Sequence, residues 1–164
     1  MSKTKKLSLI LGVLIVLVVV AVLALFYVTR SGVRPIFTQA QNVSATVTIG
    51  GQKINLEIVT TTQDMARGLS NRDSLPADSG MLFVYSNYVS PGFWMKDMRF
   101  PIDIIWIRDA VIIGAQENAP VIATGTLPLY YPSQLVNDVL EVNAGFVKAN
   151  NIKAGDRVEF KNLK

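Results

Sequence analysis

The chain has 164 residues, with 16 Lys plus Arg, 12 Asp plus Glu, no His and no Cys, for a net charge of +4. Lys3, Lys5, Lys6 and Arg30 carry that whole excess. From Ser31 onward 12 basic and 12 acidic residues balance, which leaves no basic footprint for nucleic acid. Without His or Cys there is no Ser–His–Asp triad, no thiol nucleophile, no disulfide and no Cys/His zinc site.

Residues 1–6 are polar and basic, and Leu7–Val28 is an uncharged, mostly aliphatic run. As a helix that run spans about 33 Å, against a hydrocarbon core of about 30 Å. It is longer than a signal-peptide apolar region, and Val28-Thr29-Arg30 is a poor cleavage site. The expectation is therefore an uncleaved transmembrane anchor over residues 7–28. Lys3, Lys5, Lys6 and the α-amino group precede the run, and Arg30 and Arg34 follow it. The positive-inside rule then puts residues 1–6 in the cytoplasm and the C-terminal domain outside it. Residues 29–42 read as a short tether, and residues 43–164 suffice for one domain with a core.

Within that domain, Thr46–Ile49 and Ile54–Ile58 alternate apolar and polar side chains around Gly50-Gly51. That pattern predicts a hairpin, because a type I′ turn needs positive φ at both central residues. Thr61 with Asp64 three positions on predicts a capped short helix over Thr62–Leu69, followed by a loop over Asp73–Gly80. Strands are predicted at Met81–Tyr85, Phe93–Lys96, Ile102–Ile107, Val111–Ala115 and Val139–Asn143. The stretch Glu117–Gln134, with three prolines and a glycine, reads as a long loop of the kind that carries function. Ala144–Asn151 reads as a second helix, and a closing strand follows around Val158–Phe160. The expected fold is mainly β: a compact antiparallel sandwich or barrel with one or two short helices, behind the single anchor.

Asp103 is the most informative polar residue, because Ile102–Ile107 is otherwise apolar on both faces. A buried carboxylate must find a partner or face a cavity. Lys96, Arg99, Arg67 and Arg72 are candidate partners, and amides of a loop are another. Glu117 and Glu141 lie at strand edges. With Asp103 they are the candidate catalytic carboxylates, because two that converge could act as acid and base on a glycosidic bond. Trp94 and Lys96, beside Asp103 and Glu117, are candidate ligand-binding residues. Arg67 joins them as a clamp on a carboxylate or an anionic ligand. Met65, Met81, Met95 and Met98 invite a copper(I) reading, but without His or Cys support they read better as core fillers, and no metal or cofactor is expected.

Four blocks carry a resemblance to a known family. They are Gln63-Asp64-Met65-Ala66-Arg67-Gly68-Leu69 with Gly80-Met81-Leu82-Phe83, then Phe93-Trp94-Met95-Lys96-Asp97-Met98 with Pro101–Ile107, then Glu117-Asn118-Ala119-Pro120, and last Val139–Gly145. In this order and spacing the chain resembles the domain-of-unknown-function-192 family over nearly all of Val43–Phe160. Departures are Ser70, where members often carry Met, and Thr124–Tyr131, where they often carry Cys. The resemblance implies a small β-rich domain, frequently exported or membrane-tethered, and implies no reaction.

The expected function is a membrane-anchored extracytoplasmic binding or interaction module. Its expected ligand is a small molecule, a glycan or an envelope protein, held near Trp94, Lys96, Asp103 and Glu117. A carboxylate-based hydrolase acting on an envelope glycan is the alternative. A structural domain that assists assembly of a membrane complex is the second alternative.

Overall fold

The computed structural model describes residues 14–23 and 44–163. Residues 14–23, all apolar, form helix α1 with every side chain exposed. Among the described residues no helix is long and apolar enough to cross a membrane. The rest of the expected span, residues 1–6 and the tether 29–42 lie outside the described residues.

Residues 44–163 form one compact unit. It begins with the hairpin the glycine pair predicts. Gly50 and Gly51 have φ of 56° and 78° and join β1 (Thr46–Ile49) to β2 (Gln52–Val59), with Ile49 opposite Gln52. Helix α2 (Thr62–Arg67) follows, and its cap is the one read from the sequence. The Thr61 hydroxyl accepts the Asp64 amide at 3.1 Å and donates to the Asp64 carboxylate at 2.7 Å. The helix stops at Gly68, short of the predicted Leu69, where φ turns to 50°.

Residues 60–78 form a crossover, and this is why the next strand, β3 (Ser79–Val89), runs parallel to β2. A tight hairpin makes antiparallel neighbours, whereas parallel ones need a connection of about a dozen residues or more. The remaining strands are β4 (Ile102–Arg108), β5 (Val111–Ala119), β6 (Val136–Asn143) and β7 (Glu159–Lys161), with α3 (Phe146–Ala149) between β6 and β7. They form one seven-stranded sheet in the order β5-β4-β6-β3-β2-β1-β7. All pairs but β2–β3 are antiparallel.

The sheet curls. Its β5 edge meets the segment leading into β7, where Ile112 and Val158 donate amides to Asp156 and Ala110, each at 2.9 Å. Of the expected sandwich or barrel, the single curled sheet is nearer the barrel, and the parallel β2–β3 pair corrects the wholly antiparallel expectation. The predicted strand at Phe93–Lys96 is another correction. Its alternation is real, with Phe93 and Met95 buried and Trp94 and Lys96 exposed. It pairs only through the bridge of Phe93 to Tyr130, with amide bonds of 2.9 and 2.8 Å. Pro91 and Pro101 bracket it, and Asp97 turns the chain at φ 56°.

The central strands are buried on both faces, which is why β4 reads as a nearly unbroken apolar run. One core, including Val47, Ile54, Leu82, Ile105, Leu140 and Val147, fills the inside of the curl. The other, including Leu69, Met81, Phe83, Phe93, Ile104 and Trp106, lies on the opposite face. The crossover residue Leu69 and the loop residues Phe93, Met95 and Met98 help to cover it. That second core holds the candidate site.

Candidate functional site

Glu141 lies in the middle of β6, directly opposite Met81 of β3 and Ile104 of β4. Cross-strand partners share a face, so its side chain enters the second core. The residue is 5% exposed, and Oε2 is buried with no hydrogen-bond partner. Burial pushes the carboxyl from 4.5 up to about 8, with the Arg72 charge acting against it. At neutral pH the group is therefore mostly protonated.

Above Glu141 opens a cavity of about 540 Å³, within the range of small-molecule sites. Its walls include Met65, Leu69, Phe83, Tyr85, Phe93 and Met98, and Thr60, Thr62, Ser70 and Ser86 add hydroxyls. Burial, followed by the Glu141 charge, pushes the Tyr85 phenol up to about 12, so it stays protonated. Edge-on packing of Phe93 against Phe83 and Trp106, with centroids 4.8 and 5.4 Å apart, fixes the rings.

Two loops wall the cavity and are tied to each other. Ser70 donates its hydroxyl to the Lys96 carbonyl at 2.9 Å, and the Asn71 amide donates to the Asp97 carbonyl at 2.8 Å. Gly68 packs over Glu141. A Cβ there would stand 3.8 Å from Oε2 and 3.5 Å from the Phe83 ring, on a backbone at φ 50° that L side chains avoid. Gly92 lets the Tyr131 ring close on the wall, since a Cβ at that position would meet the ring at 2.9 Å.

Of the candidate catalytic and ligand-binding residues singled out from the sequence, this cavity gathers Arg67, Trp94 and Glu141. Trp94 is 48% exposed at the rim, with the Lys96 ammonium 5.5 Å from its ring centroid. Arg67 is also exposed, and it pairs with Asp64 at 2.7 Å rather than with the Asp103 region. The other expected partners of Asp103 are likewise engaged elsewhere. Arg72 makes two 2.7 Å bonds to Glu57, and Arg99 pairs with Asp73.

Asp103 lies outside the cavity. Its register partner on β6 is Val142, so it points to the opposite face from Glu141. Its oxygens accept the amides of Asn118 at 2.8 Å, Gly145 at 3.1 Å and Val147 at 2.8 Å. That carboxylate pins the end of β5 and the turn into α3. Glu117, where a loop was expected to begin, is exposed on β5, which runs on to Ala119. The three candidate carboxylates thus do not converge. Among the described residues Glu141 is the only carboxyl lining the cavity, and no group of three or more His, Cys, Asp or Glu is placed to hold a metal. Met81, Met95 and Met98 are core residues, with Met65 packed against them.

Sequence reasoning left Gly68, Ser70, Phe83 and Tyr85 out of the site. Glu141 stood among apolar Val139, Leu140 and Val142, the same signal that drew attention to Asp103. What separates the two carboxyls is which face finds amides, and that depends on contacts far along the chain.

A family profile matches residues 45–160. The chain belongs to the DUF192 family, described as Uncharacterized ACR. The DUF192 domain therefore covers the whole curled sheet apart from its last residue, Lys161, the cavity included. The solved structures similar to it include the following two. One is a Sinorhizobium meliloti protein provisionally assigned as a transcription regulator, with 28% identity and a TM-score of 0.63 over 71% of this chain and 91% of that one. The other is a Novosphingobium aromaticivorans protein of unknown function, with 31% identity and a TM-score of 0.62 over 78% of this chain and 91% of that one. No curated protein matches the chain.

Proposed function

We propose that this DUF192 domain is a ligand-binding module, and that its ligand enters the cavity above β3 and β6 and satisfies Glu141. The observation that carries this reading is Glu141, a carboxyl set in an apolar core with its Oε2 unpartnered, whose side chain lines the foot of an open cavity. An unsatisfied buried polar atom costs about 1–3 kcal/mol, and a bound molecule supplying the missing bond recovers that energy. Trp94, presenting an aromatic face at the rim, and the hydroxyls of Thr60, Thr62, Ser70 and Ser86 suit a small polar molecule with an apolar part. Paired-carboxylate hydrolysis has no such support, because Asp103 and Glu117 face elsewhere.

The module is tethered to the membrane by residues 7–28 and works on the extracytoplasmic side. Support for the tether comes from the unbroken apolar run, and from α1 leaving its apolar side chains exposed within the chain. Support for the side comes from the lysines that precede the run.

The test is thermal melting of the full-length chain in detergent against a panel of cell-wall sugars, amino acids, short peptides and divalent metals. A ligand at about 100 times its dissociation constant adds about 2.7 kcal/mol of stability. A shift seen with one class, and lost in Glu141→Gln, supports the reading. Equal shifts in wild type and variant place binding elsewhere and reject it.

A further inference from the structure

We propose that the domain docks on the lipid bilayer that anchors it, through the aromatic outer face of a two-stranded ribbon and the charge-free loop that contains it; the proposal rests on the tether of residues 7–28 described above.

The ribbon is made by the bridge between Phe93 and Tyr130. Each donates its amide to the carbonyl of the other, at 2.9 and 2.8 Å. In an antiparallel pair this sets Trp94 opposite Leu129 and Gly92 opposite Tyr131, and successive side chains take opposite faces. The inner face belongs to Phe93, buried in the second core, with Tyr130 packed against it. The outer face is Trp94, Leu129 and Tyr131, all three about half exposed.

The surrounding loop shares that character. Residues 120–135 join β5 to β6 and hold no charged residue, although 12 of the 16 are exposed. Val121 and Leu135 stand out from it beside Leu129 and Tyr131. A loop that faces only water has no reason to lack charge, whereas a charged side chain is costly to carry into a bilayer. Trp and Tyr, each an apolar ring with a polar tip, settle at the level of the lipid headgroups. The Lys96 ammonium lies 5.5 Å from the Trp94 ring centroid. There its stem can follow the ring while its charge meets lipid phosphate. The contact is shallow, because loop amides find no water in the hydrocarbon core. Side chains reach the acyl boundary, and the backbone stays among the headgroups.

The tether supplies proximity. Residues 29–43 lie between the apolar run and the described domain, and they reach about 50 Å at most when fully extended. A domain of this size has a radius of gyration of about 14 Å, so its whole surface comes within reach of the bilayer. Weak contacts are then made at high effective concentration. A protein partner also suits an aromatic face, but protein interfaces keep a polar rim around it, and here the absence of charge extends from β5 to β6.

The experiment uses the two tryptophans, neither of which lies in the apolar run. Trp94 stands on the docking face and Trp106 is buried in the core. The full-length chain is reconstituted into phosphatidylcholine vesicles, with or without bromine on the acyl chains close to the glycerol. Vesicle flotation and tryptophan emission are read together. The expected result is a chain that floats, loses the Trp94 share of its emission to bromine and keeps the Trp106 share. Trp94→Phe abolishes that loss. Leu129 is exposed, so Leu129→Glu leaves the fold intact; it floats as the wild type does and removes most of the loss. If the wild type floats and is not quenched, docking is wrong while the tether stands, and the face is left to a protein partner. If quenching survives Trp94→Phe, or is unchanged in Leu129→Glu, the contact lies on another face and the proposal fails. If Leu129→Glu no longer floats, docking holds and the tether fails. If the wild type does not float, both fail. Should Leu129→Glu not fold, the comparison of wild type with Trp94→Phe decides the matter.

Discussion

Glu141→Gln tests the buried carboxyl directly, before any ligand is known. The amide has the same shape and cannot ionise. In the wild type the folded-state value is raised from 4.5 to about 8, so the folded chain holds its proton where the unfolded chain has lost it. Stability then falls as pH rises through that window, by up to about 1.36 kcal/mol per pH unit, and levels off above the folded value. Between about pH 5 and about pH 9 the wild type should lose about 4 kcal/mol that the variant keeps. At roughly 3 °C per kcal/mol for a domain of this size, that is about 12 °C. The assay is a pair of melting curves taken at intervals across the range, each against its own variant. The quantity of interest is the difference, because the other titrating groups are common to both chains. Parallel profiles, with a gap that does not widen from pH 5 to pH 9, would show that Glu141 is solvated or partnered in solution, and the cavity floor would lose its argument.

Asp103→Ala leaves the amides of Asn118, Gly145 and Val147 without an acceptor. It should cost about 3–5 kcal/mol in urea unfolding, and a loss under about 1 kcal/mol would refute the capping role. Arg72→Ala breaks a half-exposed pair with Glu57 and should cost about 0.5–1 kcal/mol. Because the Arg72 charge holds the Glu141 carboxyl down, the same variant should carry the pH-dependent loss to higher pH, and an unmoved profile counts against that coupling. The full-length chain should stay with membranes through an alkaline carbonate wash, and protease added from the extracytoplasmic side should remove the domain. Release by the wash refutes the anchor, and protection from that protease refutes the orientation.

Local chemistry made several elements legible. Gly50-Gly51 encoded a hairpin because only glycine takes two successive positive φ angles cheaply. Thr61 and Asp64 encoded a helix start because their side chains satisfy each other and a free amide within one turn. The apolar run of β4 encoded a strand covered on both sides. The alternation at Phe93–Lys96 was also genuine, yet it misled, because alternation reports which side chains are buried and not whether the backbone has a partner strand.

The candidate site divides in the same way. That Asp103 and Glu141 are carboxyls set in apolar strands could be read from the residues alone, as could the demand that each be satisfied somehow. The parity of β4 and β6 against their neighbours sends Asp103 to the inside of the curl, where Asn118, Gly145 and Val147 supply amides. The same register sends Glu141 to the opposite face, where Gly68 and the Phe93–Met98 loop leave a cavity instead of a partner. Composition and local pattern determined the apolar N-terminal run, the β-rich domain and the carboxyls set in apolar strands. Which carboxyl was capped and which was left open was decided only by tertiary structure, because hydrogen-bond partners many positions apart come together through sheet order, and no local pattern encodes that order.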